Sequence, residues 1–165
     1  MVDFQLHHEM GESMRKKATP LSAEEQEHYD RMFMIMARSI AENSDPIHWN
    51  TEGTPGGAVI VAHNKVIATS SDEKVRGIDY SEQVGTKPMF ACATTNAIAQ
   101  LARGIESSEN ATLYTVSAPT ANLAVLLIQA GITRVVYDRK RTFDFGTDML
   151  TDAGIDTKSF DPLQR

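Results

Sequence analysis

From Gly57 onward the chain alternates short β-rich runs with helical stretches, and this alternation restricts its fold more than any other feature. Gly57-Ala58-Val59-Ile60-Val61-Ala62 and Val66-Ile67-Ala68-Thr69 flank His63-Asn64-Lys65, a hairpin pattern whose turn is not the favoured Asn-Gly kind. His63 is expected at the exposed tip. Residues 91–101 form an alanine-rich helical stretch stopped by Gly104. A strand follows at 112–116. Pro119 is then expected at the first helical position, where a missing amide hydrogen costs nothing. Leu123, Leu126, Leu127 and Ala130 give that helix its buried stripe, and Gly131 ends it. A further strand at 133–137, a short helix at 146–153 and an edge strand at 155–160 complete the series. Strand, strand, helix, strand, helix, strand, helix is an α/β layer pattern. A helical crossover between the later strands makes them parallel. With the hairpin in front, the sheet is mixed and carries helices on both faces.

Upstream, Ser22-Ala23-Glu24-Glu25 reads as a capping box that opens a helix. Tyr29, Met32, Phe33, Met36 and Ile40 recur at three- and four-residue spacing and predict its core-facing side. Residues 1–20, ending at Pro20, read as an arm outside the core that a partner subunit could order. Residues 43–56 are a breaker-rich loop, and 72–89 form a long polar connection of the kind that often carries function. The 165 residues suit one domain. A net charge of −6 argues against general nucleic-acid binding; Arg134 and the run Arg139-Lys140-Arg141 are the candidates for a local basic patch. A single cysteine excludes an internal disulfide and a cysteine-based zinc knuckle. No apolar run reaches membrane-spanning length, and no leader is visible, so the expected compartment is the cytoplasm.

Two stretches carry the chemical question: Cys92-Ala93-Thr94-Thr95-Asn96-Ala97-Ile98 and Pro119-Thr120-Ala121-Asn122-Leu123-Ala124. With the hairpin, with Ile128-Gln129-Ala130-Gly131-Ile132, and with Val135-Val136-Tyr137 and Leu150-Thr151-Asp152-Ala153-Gly154-Ile155, they stand in an order and spacing that resembles the cytidine and deoxycytidylate deaminase family. The later segments look closest to its deoxycytidylate branch. The resemblance runs from about residue 30 to the end. It implies a three-layer αβα fold with a mixed central sheet of about five strands, an arm over residues 1–20 and a deaminase-like domain over 21–165. It also implies that the amino ends of two helices, near Cys92 and Thr120, converge on the position of a catalytic zinc.

Zinc deaminases carry His-x-Glu followed downstream by Pro-Cys-x-x-Cys, with His and both Cys on the metal and Glu moving protons. Laid on that pattern, this chain has Cys92 at the His position, Thr94 at the Glu position, and Thr120 and Leu123 at the two Cys positions. A catalytic zinc needs three protein ligands and an open position for water. Cys92 alone could serve, Thr120 is a poor ligand and Leu123 is none. Thr94 cannot titrate near neutral pH, so the proton shuttle is missing as well. His7, His8, His28, His48 and His63 lack metal-like partners at useful spacing. No zinc or other cofactor is therefore expected. The candidate remnant pocket consists of Asp72, Cys92, Thr94, Thr95, Asn96, Pro119 and Thr120, with Asp72 near the place where relatives carry a substrate-contacting Asn. Such a pocket could hold water or a small anion at the two helix ends. The functional expectation is a catalytically inactive deaminase homologue, an assembly or regulatory subunit in nucleotide metabolism. It would form a homo-oligomer, or a hetero-oligomer with an active deaminase. Two alternatives stay open: a non-catalytic pyrimidine-nucleotide-binding protein, and an enzyme of different chemistry centred on Cys92.

Overall fold

The computed structural model describes residues 21–44, 55–77, 90–139 and 145–160. The expected arm at 1–20, most of the 43–56 loop and much of the 72–89 connection lie outside them. Helix α1 (Ala23–Glu42) opens with the capping box. The Ser22 amide donates to the Glu25 carboxylate at 2.8 Å, and the Glu25 amide donates to the Ser22 hydroxyl at 3.2 Å. Strands β1 (Gly57–Ala62) and β2 (Lys65–Ser71) form the expected hairpin. Its turn is the two residues His63 and Asn64, both with positive φ, so it has the twist of a type I′ turn without a glycine. His63 is exposed, as expected.

A short ribbon of β3 (Glu73–Lys74) and β4 (Phe90–Ala91) leads into α2 (Ala93–Leu101). Then follow β5 (Thr112–Ser117), α3 (Ala121–Gln129), β6 (Arg134–Arg139), α4 (Gly146–Asp152) and β7 (Asp156–Ser159). The main sheet has the order β2-β1-β5-β6-β7. β1 runs antiparallel to both neighbours, whereas β5, β6 and β7 are parallel, which is the expected mixed sheet with β7 at its edge.

Alternate residues of each strand serve opposite faces. Val59, Val61, Tyr114 and Val136 pack with Phe33, Met34, Ala37 and Ala41 of α1. Ala58, Ile60, Leu113 and Val135 pack with Ala97 and Leu101 of α2, Ala124 and Leu127 of α3, and Leu150 of α4. The result is three layers, αβα.

Two sequence expectations need correction. The buried stripe of α1 is Asp30, Phe33, Met34, Ala37 and Ala41, while Met32 and Met36 are 41% and 37% exposed. Tyr29 and Ile40 pack at the margin of the core. The carboxyl half of this face is made of small residues, Ala37 and Ala41, because β1 runs close beneath the helix there: a side chain on Gly57 would overlap the Ala37 carbonyl and crowd the Ala41 methyl. The second correction concerns α3, where Thr120 is the N-cap and Pro119 stands before it, outside the helix. In that stripe Leu127 is fully buried together with Ala124, while Leu123, Leu126 and Ala130 are half-buried.

Candidate functional site

The antiparallel pairing of β1 brings the start of β1, the end of β2 and the end of β5 to one edge of the sheet. Helices α2 and α3 begin at that same edge, immediately after β4 and β5. In α/β proteins this is the edge where ligands bind. There, Asp72, Cys92, Thr94, Thr115, Ser117 and Leu123 help line a small cavity of about 50 Å³. That volume accepts a few waters at most, since each needs roughly 10–15 Å³ of such space.

Asp72 is the principal polar group of the cavity. It is only 3% exposed, and its carboxylate accepts from the Ala93 amide, the first in α2, at 2.8 Å. A negative group at a helix amino end is favoured by the unpaired amides and the dipole. Its own amide donates to the Gly56 carbonyl at 3.3 Å. Gly56 has no room for a side chain, because a Cβ there would overlap the Asp72 carboxylate. The sequence placed Asp72 near a substrate-contacting position; in the structure its carboxylate is tied to the α2 terminus.

Cys92 is the N-cap of α2, half-buried, with Sγ 3.2 Å from the Thr95 hydroxyl. Thr94 is buried against the cavity. Asn96 points its amide elsewhere: Nδ2 donates to the Ser71 and Ala91 carbonyls, both at 3.1 Å, and so joins β2, β4 and α2. Thr120 caps α3 by accepting from the Leu123 amide at 3.3 Å. Buried Pro119 and Thr120 lie against the start of α4, where a side chain on Gly146 would overlap their backbone. Of the sequence candidates, Asp72, Cys92, Thr94 and Leu123 therefore share the cavity, whereas Thr95, Asn96, Pro119 and Thr120 brace its surroundings.

This donor set does not fit a catalytic zinc. Of the three ligand positions, Cys92 offers one sulfur, the Thr120 hydroxyl serves as a helix cap and Leu123 has no donor. Among the described residues, no three His, Cys, Asp or Glu side chains group as a metal site. A small anion in the cavity would face the Asp72 carboxylate, which already meets the α2 terminus.

A second polar cluster was not found from sequence. Asp30 is fully buried, and its carboxylate accepts from Arg134 at 2.6 and 2.8 Å, from Tyr114 at 2.9 Å, from Gln26 at 3.1 Å and from Lys158 at 3.3 Å. Burial alone would raise the Asp30 carboxyl, but the hydrogen bonds and charge of Arg134, helped by Gln26 and Tyr114, hold it below the usual carboxylate value. Burial, then the Asp30 charge and hydrogen bond, push the Tyr114 phenol well up. Arg134 opens β6, at the opposite end of the strand from the cavity, so this cluster braces the fold. Arg134 is also removed from any basic surface patch by its pairing with Asp30 and Asp156. Among the described residues, no helix is long and apolar enough to cross a membrane.

A mixed five-stranded sheet between helices, with two helix amino ends meeting at one sheet edge, defines a cytidine-deaminase-like α/β protein. The family profile described as the cytidine and deoxycytidylate deaminase zinc-binding region matches residues 27–139, well over half the chain. The protein belongs to that family. No curated protein matches the chain in a sequence search. Among solved structures, the deoxycytidylate deaminase of cyanophage S-TIM5 in apo form is 19% identical, with a TM-score of 0.67 over 85% of this chain and 100% of that one. The same enzyme in complex with dCMP and dUMP gives a TM-score of 0.63 at 19% identity, over 86% and 100%. A diaminohydroxyphosphoribosylaminopyrimidine deaminase/reductase from Thermotoga maritima is 21% identical, with a TM-score of 0.66 over 81% of this chain and 37% of that one. At these identities the likeness establishes the fold.

Proposed function

We propose that this protein is a member of the deaminase family that does not deaminate, and that it acts as an assembly or regulatory subunit without bound zinc. The observation that carries the reading is the replaced chemistry around the cavity: Cys92, Thr94 and Leu123 line it, and Thr120 caps the adjoining helix. Hydrolytic deamination needs a nucleophile at neutral pH, and zinc supplies one by lowering the pKa of bound water from 15.7 to about 7. It also needs a group that carries a proton to the leaving amine. No three-ligand metal set stands at the positions the family uses, and Thr94, at the proton-carrying position, does not titrate near neutral pH. The carboxylate that is present, on Asp72, is engaged with the Ala93 amide.

The test is a deamination assay of the purified protein on cytidine and dCMP, with and without added zinc, alongside metal analysis. The proposal expects no turnover in either condition and substoichiometric zinc. Turnover that rises with zinc occupancy overturns it. The subunit role is tested by light scattering and size-exclusion chromatography of the chain alone and mixed with an active dCMP deaminase. A stable homo- or hetero-oligomer is expected; a monomer that ignores the enzyme overturns that part.

A further inference from the structure

A groove of about 370 Å³ lies on the flank of α2, between that helix and the β3–β4 ribbon, and shares no lining residue with the small cavity at the sheet edge. Its volume is in the range of small-molecule sites. Three cations border it: Lys74 on β3, Arg76 just beyond, and Arg103 after the end of α2. Glu73 is the one carboxylate among the lining residues. This concentration runs against the net charge of −6.

The arginines here also differ from three others in the fold. Arg31, Arg38 and Arg134 are each held by a carboxylate. Among the described residues, Arg76 has no ion pair, and Arg103 donates only its Nε to the Ala99 carbonyl at 3.3 Å. Ala91, Ala99 and Ala102 contribute small apolar side chains to the lining. Beside them stand the amides of Asn96 and Gln100. Asn96 spends both amide hydrogens on the Ser71 and Ala91 carbonyls, and Gln100 spends one on the Thr69 carbonyl. Guanidinium forks match phosphate oxygens, and an apolar lining beside them leaves room for a ring.

We infer that this groove binds a phosphorylated small molecule, its phosphate held by Arg76 and Arg103 with Lys74 adding charge. The inference stands apart from the proposed lack of deamination, because its readout is binding and involves neither zinc nor turnover.

The experiment is isothermal titration calorimetry of the full chain with inorganic pyrophosphate, AMP and adenosine. Binding of pyrophosphate and AMP, with adenosine at least tenfold weaker, is expected. AMP tighter than pyrophosphate would assign the apolar lining to a ring; equal affinities would assign the site to phosphate alone, and both support it. R76A combined with R103A should weaken AMP by more than tenfold, since each charge-assisted pair is worth about tenfold or more. Both arginines are exposed, so the variant should keep its melting temperature. R31A, at an exposed pair on α1, should bind as the parent does. No binding of either phosphate probe, adenosine binding as tightly as AMP, or full affinity in the double variant overturns the inference.

Discussion

Gly56→Ala should be among the more damaging single-methyl additions in this protein, and the reason lies entirely in Asp72. The new Cβ would overlap the Asp72 carboxylate, which is buried and tied to the Ala93 amide at 2.8 Å. A carboxylate on a surface could swing aside at little cost; this one cannot without breaking its bond to α2. Losing a hydrogen bond to a charged group costs about 1.5–3 kcal/mol. Residual crowding adds about 1–3 kcal/mol. Alanine returns about 0.4–1 kcal/mol by restricting the unfolded chain, and no positive φ at Gly56 adds strain. The net expectation is a loss of about 1.5–5.5 kcal/mol, which at this chain length lowers the melting temperature by about 3–20 °C. Urea unfolding and thermal denaturation measure it. The decisive comparison is the double variant with Asp72→Ala. Removing the carboxylate removes the overlap, so Gly56→Ala should cost almost nothing further in that background. A cost below about 0.5 kcal/mol in the parent, or full additivity in the double variant, would refute the close-approach reasoning.

Asp30→Asn should destabilise by about 3 kcal/mol, the lower end for breaking a buried pair, because Lys158 is partly exposed. The penalty has a pH signature. The Asp30 carboxyl is held below its unfolded value, so the stability it gives is complete above the ordinary carboxylate range and disappears as pH falls through the lower folded value. Melting curves of parent and variant should therefore converge below about pH 4. Tyr114 is shifted the other way, so its phenol should stay protonated past the ordinary tyrosine range until unfolding, visible as missing phenolate absorbance in an alkaline titration. Thr120→Ala removes the α3 cap and should cost about 1 kcal/mol by urea unfolding, with Thr120→Ser close to the parent.

The parts of this fold that were legible in the sequence are those whose partners lie close by along the chain. Ser22 and Glu25 are three residues apart, and their capping box is present as read. The hairpin, the crossover helices and the alternation of Val59 and Val61 against Ala58 and Ile60 follow from local periodicity. What stayed hidden depends on contacts between distant residues. Asp30 looked like one more polar position on α1, because Tyr114, Arg134 and Lys158 lie 84, 104 and 128 residues away. The tie between Asp72 and α2 stayed hidden because the amide it meets is 21 residues downstream. The charge reading found the contiguous run from Arg139 but missed the groove, whose cations are split between the ribbon after β2 and the far end of α2. The exposed Met32 and Met36 misled for a different reason: Ala37 and Ala41 of α1 sit against Gly57 of β1, and that close approach turned a different face inward.

The anchoring of the two helices at the site leads to a last test. A metal ligated from both helices would fasten their amino ends to one another. Here each end is fastened separately. Asp72, reaching over from the end of β2, holds α2, while Thr120 caps α3 and the close packing at Gly146 seats it against α4. Separate anchors should fail separately. Asp72→Ala should raise backbone hydrogen exchange in the first turn of α2, at Ala93 and Thr94, by about tenfold or more, the factor that matches a charged hydrogen bond. The first turn of α3 should exchange at its parental rate. Thr120→Ala should do the converse, loosening Leu123 and sparing α2. If either substitution loosened both turns together, the two ends would share one support, and the independence inferred from Asp72 and Thr120 would be wrong.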